Sequence, residues 1–452
     1  MRGNAKADIV VIGAGASGLM AAGAAAECGA DVVLLERNAS AGRKLAITGK
    51  GRCNLTNAAD VQQMIRNVPG NGKFLYSALN KMKNSDIVDF FNGHGVETVL
   101  ERGGRVFTKS GKAKDVAVAL LNYAKANRAR VMTGSYVREV CLTGGEYRFR
   151  CDIGNDTDGA GIGNSVISGA EISTGEGVKK SAGNRDCAAI HSRMLIIATG
   201  GISYPATGST GDGYCFAAGL GHTIIPPLPS LVPIETFEDW PRKAAGLSLK
   251  NVTLKLLNPD KRIVFEDMGE MLFTHFGISG PLVLSGSRHI LEYGFGNCAA
   301  VIDLKPALSE EKLYNRLTRD FVMYSRKMLK NSLGDLLPTK LIPVIIGLSG
   351  IDGDTPVNGI DREKRRCLVR LLKNLELNVA GARPVAEAIV TSGGVSVSEI
   401  NPSTMESRIV PGLYFCGEVM DVDAYTGGFN LSIAFATGRL AGTSAAAKTV
   451  RA

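Results

Sequence analysis

The stretch that decides the fold is Ile9-Val10-Val11-Ile12-Gly13-Ala14-Gly15-Ala16-Ser17-Gly18. The apolar run Ile9 to Ile12 suits a strand buried on both faces of a parallel sheet, and it leads directly into G-x-G-x-x-G. That hexapeptide alone is weak evidence, but here its surroundings are complete. Ala22, four residues after Gly18, is small enough to let a helix lie close on the sheet. Gly29 ends that helix, Val32 to Leu35 supplies a second strand, and Glu36 stands at its end. Gly13 permits the tight turn, Gly15 lets the backbone approach a pyrophosphate, and Gly18 allows close helix–strand packing. The helix N-terminus offers unpaired N–H groups and partial positive charge to the phosphates. Glu36 can accept hydrogen bonds from the ribose hydroxyls of an adenosine, and its charge repels a 2′-phosphate. The unit therefore suits FAD or NAD rather than NADP.

Two further segments move the choice toward a flavin. Ala41 to Asn57 is Gly-rich, basic and polar, with little periodicity. Arg43 and Lys44 can reach phosphates there, Gly49 and Gly51 let the chain pass a flat ring, and Asn54, Thr56 and Asn57 bring hydrogen-bonding groups. Near the other end, Leu413 to Cys416 reads as a strand ending in Gly417-Glu418. Thr426-Gly427-Gly428-Phe429-Asn430 then opens a small-residue helix. Helical N–H groups at such a position stabilise negative charge that develops on a flavin ring upon reduction. Leu195 to Gly201 is a third strand running into a glycine turn.

Thr48 to Asn57, Thr274 to Pro281, Thr391 to Val395 and Gly417 to Asn430 together resemble the bacterial YhiN/BaiN-like flavoproteins. That family includes enzymes described as aminoacetone oxidases and bile-acid enone reductases. The resemblance runs over nearly the whole chain. It implies FAD, a three-part architecture and oxidoreductase activity, without fixing a substrate. The candidate FAD-binding set is Gly13, Ala14, Gly15, Ala16, Ser17, Gly18, Glu36, Arg37, Arg43, Lys44, Gly51, Arg52, Cys53, Asn54, Thr56, Val137, Thr199, Gly200, Gly201, Gly417, Glu418, Gly428, Phe429, Asn430 and Leu431. No metal site is expected.

The 452-residue length implies two or three domains. The expected fold class is α/β: a Rossmann-like FAD-binding domain of the glutathione-reductase type, with an inserted β-rich domain and a helical domain. The flavin domain takes residues 1–222 and 382–452. The alternating pattern Val252, Leu254, Leu256 places a β-rich region at 223–308. Ser309 and Asp361 cap helices in a helical region at 309–381. A Gly/Ser/Asn/Asp-rich stretch at 154–184 reads as a mobile surface excursion with no role in flavin binding, because its few apolar residues offset little ordering entropy.

Composition narrows the function classes. There are 55 glycines, against an average usage of ~7%. The net charge is +9, but the basic residues are scattered, which points to attraction of anionic small molecules rather than a nucleic-acid track. Nine cysteines with no Cys-x-x-Cys spacing support neither a disulfide framework nor a zinc site; reduced thiols and a cytoplasmic location are the simplest account. Arg2 and Lys6 before the apolar stretch from Ile9 to Ala26 mimic a signal peptide, yet the fixed glycine spacing and Asp8 argue for folded protein. No other stretch is long and apolar enough to span a membrane.

No second complete fingerprint exists, so NAD(P)H, if it is the electron donor, binds transiently across the flavin face. For chemistry the candidates are His275, before the Gly280-Pro281 helix start, and Tyr425, beside Thr426-Gly427-Gly428; Cys53 lies between Arg52 and Asn54 without a partner cysteine. The expected reaction is hydride transfer through flavin N5, in the leading version an NAD(P)H-dependent reduction of an activated double bond. Oxidation of a small amine or ketone by oxygen is the alternative, and a nucleic-acid-modifying or redox-sensing flavoprotein is a third class.

Overall fold

The computed structural model describes residues 5–153 and 187–449. The expected excursion at 154–184 lies outside the described residues.

Five strands form a parallel sheet in the order Arg130–Met132, Val32–Leu35, Ala5–Ile12, Cys187–Ile197 and Leu413–Phe415. Val10 pairs with Val33 on one side and Leu195 on the other. All four residues of Val32–Leu35 are buried, as a doubly covered strand requires. An antiparallel hairpin, Ser135–Thr143 with Glu146–Ile153, extends the sheet along the first half of Cys187–Ile197.

Helices Ala16–Glu27 and Phe429–Thr449 bring the two ends of the chain together. Their approach is close because glycines line it. A Cβ on Gly438 would stand 2.4 Å from the Ser17 carbonyl oxygen, and one on Gly442 would stand 2.2 Å from that of Ala21. The small-residue composition of the last helix is thus a packing requirement.

A closed six-stranded barrel is inserted into this domain. Its strands, in spatial order, are Ile234–Thr236, Gly277–Ser279, Ile263–Phe273, Ser248–Leu257, Ala299–Asp303 and Leu375–Ala382. Closure leaves no unpaired sheet edge. The sequence separates a β-rich region from a helical one ending at 381; the structure differs, because Leu375–Ala382 is the barrel's last strand. Helices Glu310–Met323, Ile342–Ser349 and Arg362–Lys373 lie between the fifth and sixth barrel strands in sequence and share one apolar core with the barrel, including Leu254, Ile302, Leu317 and Leu372. Ser309 and Asp361 do cap two of them, accepting from Lys312 N and Lys364 N.

The chain enters and leaves the barrel region through one antiparallel ribbon, Ile224–Ser230 with Val390–Val395. This ribbon explains Gly393 and Gly394. Both have positive φ, and a Cβ would come within 2.4 Å of Pro226 O and 2.6 Å of Val419 O respectively. The Thr391 to Val395 motif is therefore joinery between the two bodies.

Candidate functional site

One cleft of about 860 Å³ runs along the C-terminal ends of the parallel strands, where open α/β sheets bind ligands. Its walls come from the fingerprint, from the segment after Glu36, from Ser135 to Val137, from Ala198 to Gly200 and from the start of the last helix. Pro281 adds a contribution from the inserted body.

The three fingerprint glycines are required for different reasons. Gly13 has φ +100°, and a Cβ would stand 2.6 Å from Ala198 O. A Cβ on Gly18 would stand 1.8 Å from Gly13 O. Gly15 meets no protein atom within 4 Å; the space in front of it is the cleft itself. Glycine there makes room for something other than this chain. Gly15 also precedes helix Ala16–Glu27 without any side-chain cap, so first-turn N–H groups have no side-chain acceptor. That combination is an anion cradle, and the residues fit a dinucleotide pyrophosphate.

Glu36 is buried, and its carboxylate accepts from Ala14 N at 2.8 Å, Asn38 N at 2.8 Å and Asn38 Nδ2 at 2.6 Å. Of roughly four lone-pair sites on a carboxylate, this leaves capacity for a ribose hydroxyl. Beyond it, Arg37 lies 4.6 Å over the Tyr136 ring and is held by Thr210 and Asp212, with Val137 alongside in the wall. Arg43 donates to Asn38 Oδ1 at 2.8 Å and remains exposed on the wall.

Lys44 is placed differently from a free phosphate ligand. Its ammonium donates to Ser203 Oγ at 2.7 Å and to Glu418 Oε2 at 2.8 Å. Glu418 also accepts from Thr391 N and Ser203 Oγ. Both charges sit in the cleft wall, but each neutralises the other.

At the opposite end, helix Phe429–Thr449 begins at the cleft, with Gly428, Asn430 and Leu431 in the wall. A Cβ on Gly428 would stand 2.4 Å from Thr56 O, and Thr56 Oγ1 lies 2.7 Å from Ser432 Oγ. Asn54, oriented to satisfy both of its groups, accepts from Gly428 N at 3.0 Å. Lys50, Arg52, Arg105 and Phe107 form the basic rim, with Arg52 stacked 4.5 Å over Phe107 and paired to Glu101.

Several candidates stand behind the wall. Gly18, Gly51, Cys53, Thr56, Gly201, Gly417 and Phe429 do not line the cleft. Gly417 has φ +75° and touches Ser17, while Gly201 packs on Thr391. Cys53 is fully buried and burial pushes its thiol up to about 11, the opposite of an activated nucleophile. His275 is exposed and lies outside the cleft, whereas Pro281 of the same motif lines it.

Tyr425 is in the wall, and its hydroxyl lies 2.6 Å from His289 Nε2. His289 and Arg288 end helix Pro281–Ile290, and Arg288 Nε donates to Asp423 Oδ2 at 2.8 Å. Burial, and then Arg288, lower the His289 imidazole below its ordinary value. Sequence reasoning missed Arg288, His289 and Asp423. Their only local signal is a pair of basic residues at a helix C-terminus, which ordinarily denotes dipole compensation.

The family model described as the HI0933-like protein Rossmann domain matches residues 7–167 and 162–444. The chain belongs to the HI0933-like family. It is an FAD-dependent oxidoreductase, as the resemblance to the YhiN/BaiN-like flavoproteins implies. Among relatives, the 3-dehydro-bile acid Δ(4,6)-reductase of Clostridium scindens is 31% identical over 443 residues, covering 97% of this chain and 98% of that one. The ribosomal RNA dihydrouridine synthase of Escherichia coli K12 is 29% identical over 440 residues, covering 95% and 96%. Among solved structures, the 3-ketosteroid-Δ4-(5α)-dehydrogenase of Rhodococcus jostii RHA1 aligns with a TM-score of 0.47 at 14% identity, covering 98% of this chain and 97% of that one. No helix among the described residues is long and apolar enough to cross a membrane.

Proposed function

We propose that this HI0933-like protein reduces a carbon–carbon double bond conjugated to a carbonyl group, taking electrons from NAD(P)H through its FAD. The observation that carries this reading is the continuity of the cleft. It runs from the anion cradle at Gly13 to Ser17, past the start of the last helix, to Tyr425 and Pro281. One space thus offers a dinucleotide site and, beyond it, a hydroxyl donor beside an apolar wall of Pro281, Ile389, Val390 and Val422. The two relatives' names add chemical support, since a conjugated bile-acid ketone and the uracil ring each present a double bond next to a carbonyl.

In this reading the amides from Ala14 to Ser17 hold the pyrophosphate, Glu36 holds the adenosine ribose, and Asn54 with Gly428 to Leu431 faces the flavin. The bound flavin supplies a hydride at N5. The chain supplies orientation, exclusion of water and the proton. The cations Lys50, Arg52 and Arg105 at the rim favour an anionic substrate or cosubstrate.

The test is anaerobic mixing of the yellow protein with NADH and NADPH, followed by a conjugated enone. Bleaching by a nucleotide and recovery of colour on adding enone support the reductase. No bleaching, with hydrogen peroxide formed from an amine, would select the oxidase instead. A second reading, reduction of a pyrimidine within RNA, is favoured by the net charge of +9 together with the rim cations. Retention of RNA that falls steeply with added salt supports it, and no retention at low salt removes it.

A further inference from the structure

We propose that Tyr425 delivers the proton in this reduction and that His289, from the inserted barrel body, is the positioning residue that holds and recharges it. The inference rests on the reading that a conjugated double bond is the substrate.

Tyr425 is held from several directions. Its backbone N–H donates to Asn67 O at 3.0 Å, and Asn430 brackets the loop by accepting from Ala424 N at 2.9 Å and donating to Ala424 O at 2.6 Å. Its ring stacks on His289 with centroids 5.7 Å apart and planes at 23°. His289 is held in turn against Phe265, 5.1 Å away. Among the described residues the phenol oxygen therefore has one protein partner, His289 Nε2, and a cleft in front of it.

Among the described residues, Arg288, Glu292 and Asp423 are the charged groups that act on the pair. Arg288 precedes His289 on its own helix, and Glu292 follows on the next turn. From the C-terminal loop, Asp423 faces Arg288 and also accepts from Ser230 Oγ at 2.6 Å. Asp423 is 3% exposed, so the Arg288–Asp423 pair is an internal strut between the two bodies rather than a surface bridge. Burial is the largest influence on both rings: it lowers the His289 imidazole and raises the Tyr425 phenol, keeping each uncharged. Arg288 adds to the first effect and opposes the second, while Glu292 opposes the first and Asp423 adds to the second. At neutral pH the imidazole is uncharged. With its proton on Nε2 it donates to the Tyr425 oxygen, and the phenol hydrogen is then free to face the cleft.

A hydride from the reduced cofactor forms the C–H bond at the β-carbon, and the π electron pair moves toward the carbonyl. That pair takes the Tyr425 proton at the α-carbon, and the O–H pair stays on the phenolate oxygen. His289 Nε2 returns a proton to the phenolate while its Nδ1, which has no protein partner among the described residues, takes one from water; the hydroxide left is neutralised by solvent, and proton exchange with solvent restores the Nε2–H form. The net addition is one hydride and one proton.

The experiment uses the reduced holoprotein with two probes, cyclohexenone and a 3-dehydro bile acid carrying a conjugated double bond. Tyr425→Phe should retain its FAD and lower the rate of flavin reoxidation by about 100-fold, the low end of general-acid effects. His289→Gln keeps an N–H for the phenol and should stay within roughly threefold, whereas His289→Ala should lose about tenfold, the worth of one ordinary hydrogen bond. A readout independent of turnover is the phenolate absorbance titration of the protein without enone. The signal lost in Tyr425→Phe should belong to one phenol, whose midpoint shifts in His289→Ala. Reoxidation of Tyr425→Phe at the wild-type rate overturns the proton-donor role, and an unmoved phenol midpoint overturns the pairing. If the wild-type protein reduces neither probe, it is the substrate reading that fails, and the titration still decides the Tyr425–His289 coupling.

Discussion

Lys44 Nζ lies 2.8 Å from Glu418 Oε2, although 374 residues separate them. Glu418 gathers three parts of the chain: Lys44 from the N-terminal segment, Ser203 from the glycine turn and Thr391 from the ribbon leading to the barrel. At 23% and 21% side-chain exposure the pair is half-shielded from solvent, where a charged hydrogen bond carries more weight than on the surface. Glu418→Ala leaves the Lys44 cation and the Thr391 N–H without their acceptor. It should lower stability by about 1.5–3 kcal/mol, measured by urea denaturation. Glu418→Gln keeps an acceptor for Thr391 and should lose less. An equal loss in the two variants would remove the Thr391 contact from the account.

Gly15 and Gly18 separate ligand binding from packing. Gly15→Ala places a methyl group in the cleft and touches no protein atom, so the apoprotein should unfold within about 0.5 kcal/mol of wild type while FAD affinity drops. Gly18→Ala forces a Cβ to within 1.8 Å of Gly13 O, and overpacking of this kind costs about 1–3 kcal/mol. Melting curves of apoprotein, with and without added FAD, distinguish the two. Glu36→Ala should weaken FAD by about 1.5–3 kcal/mol, read from flavin fluorescence on titration.

Cysteine reactivity follows burial. Burial lifts the Cys53 thiol to about 11 and that of Cys416 to about 12. Raising a thiol pKa lowers its thiolate fraction at any pH below that value, so both should resist alkylation in the folded protein. Among the described cysteines, Cys28, Cys141 and Cys215 are exposed; Cys28 and Cys215 should be alkylated first by iodoacetamide and Cys141, whose thiol is raised by partial desolvation and by Glu139, after them, as peptide mapping will show. Cys53→Ala should keep oxidoreductase activity; a large loss of kcat without loss of FAD would restore Cys53 as a candidate for chemistry.

His222 illustrates a triad-like array without a site. Its Nδ1 lies 3.1 Å from Glu399 Oε2 and its Nε2 lies 2.8 Å from Ser407 Oγ. Ser407 Oγ also accepts from Ile409 N and Val410 N, and neither His222 nor Ser407 lines the cleft. The serine serves its own loop. Burial depresses the His222 pKa below the ordinary 6.5, although Glu399 opposes this. The unfolded chain therefore binds the proton more readily, and stability falls as pH drops from 6.5 toward the lower folded value. His222→Asn should flatten that slope in denaturation measured between those limits. An unchanged slope would assign it to other groups.

The sequence by itself determined the nucleotide-binding unit, because its requirements are local. A strand buried on both faces, a turn that needs Gly13 at positive φ, an uncapped helix start and an acid at the next strand's end all fall within thirty-six residues. Helix caps at Ser309 and Asp361 were legible for the same reason: a side chain reaches its own backbone three residues on. Only the tertiary structure decided which glycines face the cleft and which serve packing. Gly15 faces open space, whereas Gly201, Gly393 and Gly394 face Thr391, Pro226 and Val419. It likewise decided that Lys44 is neutralised by Glu418, that Leu375–Ala382 closes the barrel, and that His289 meets Tyr425 across 136 residues. Local pattern encodes φ, capping and alternation. Which distant charge or ring completes a site depends on how two separately cored bodies close on one another, and no window of sequence contains both partners.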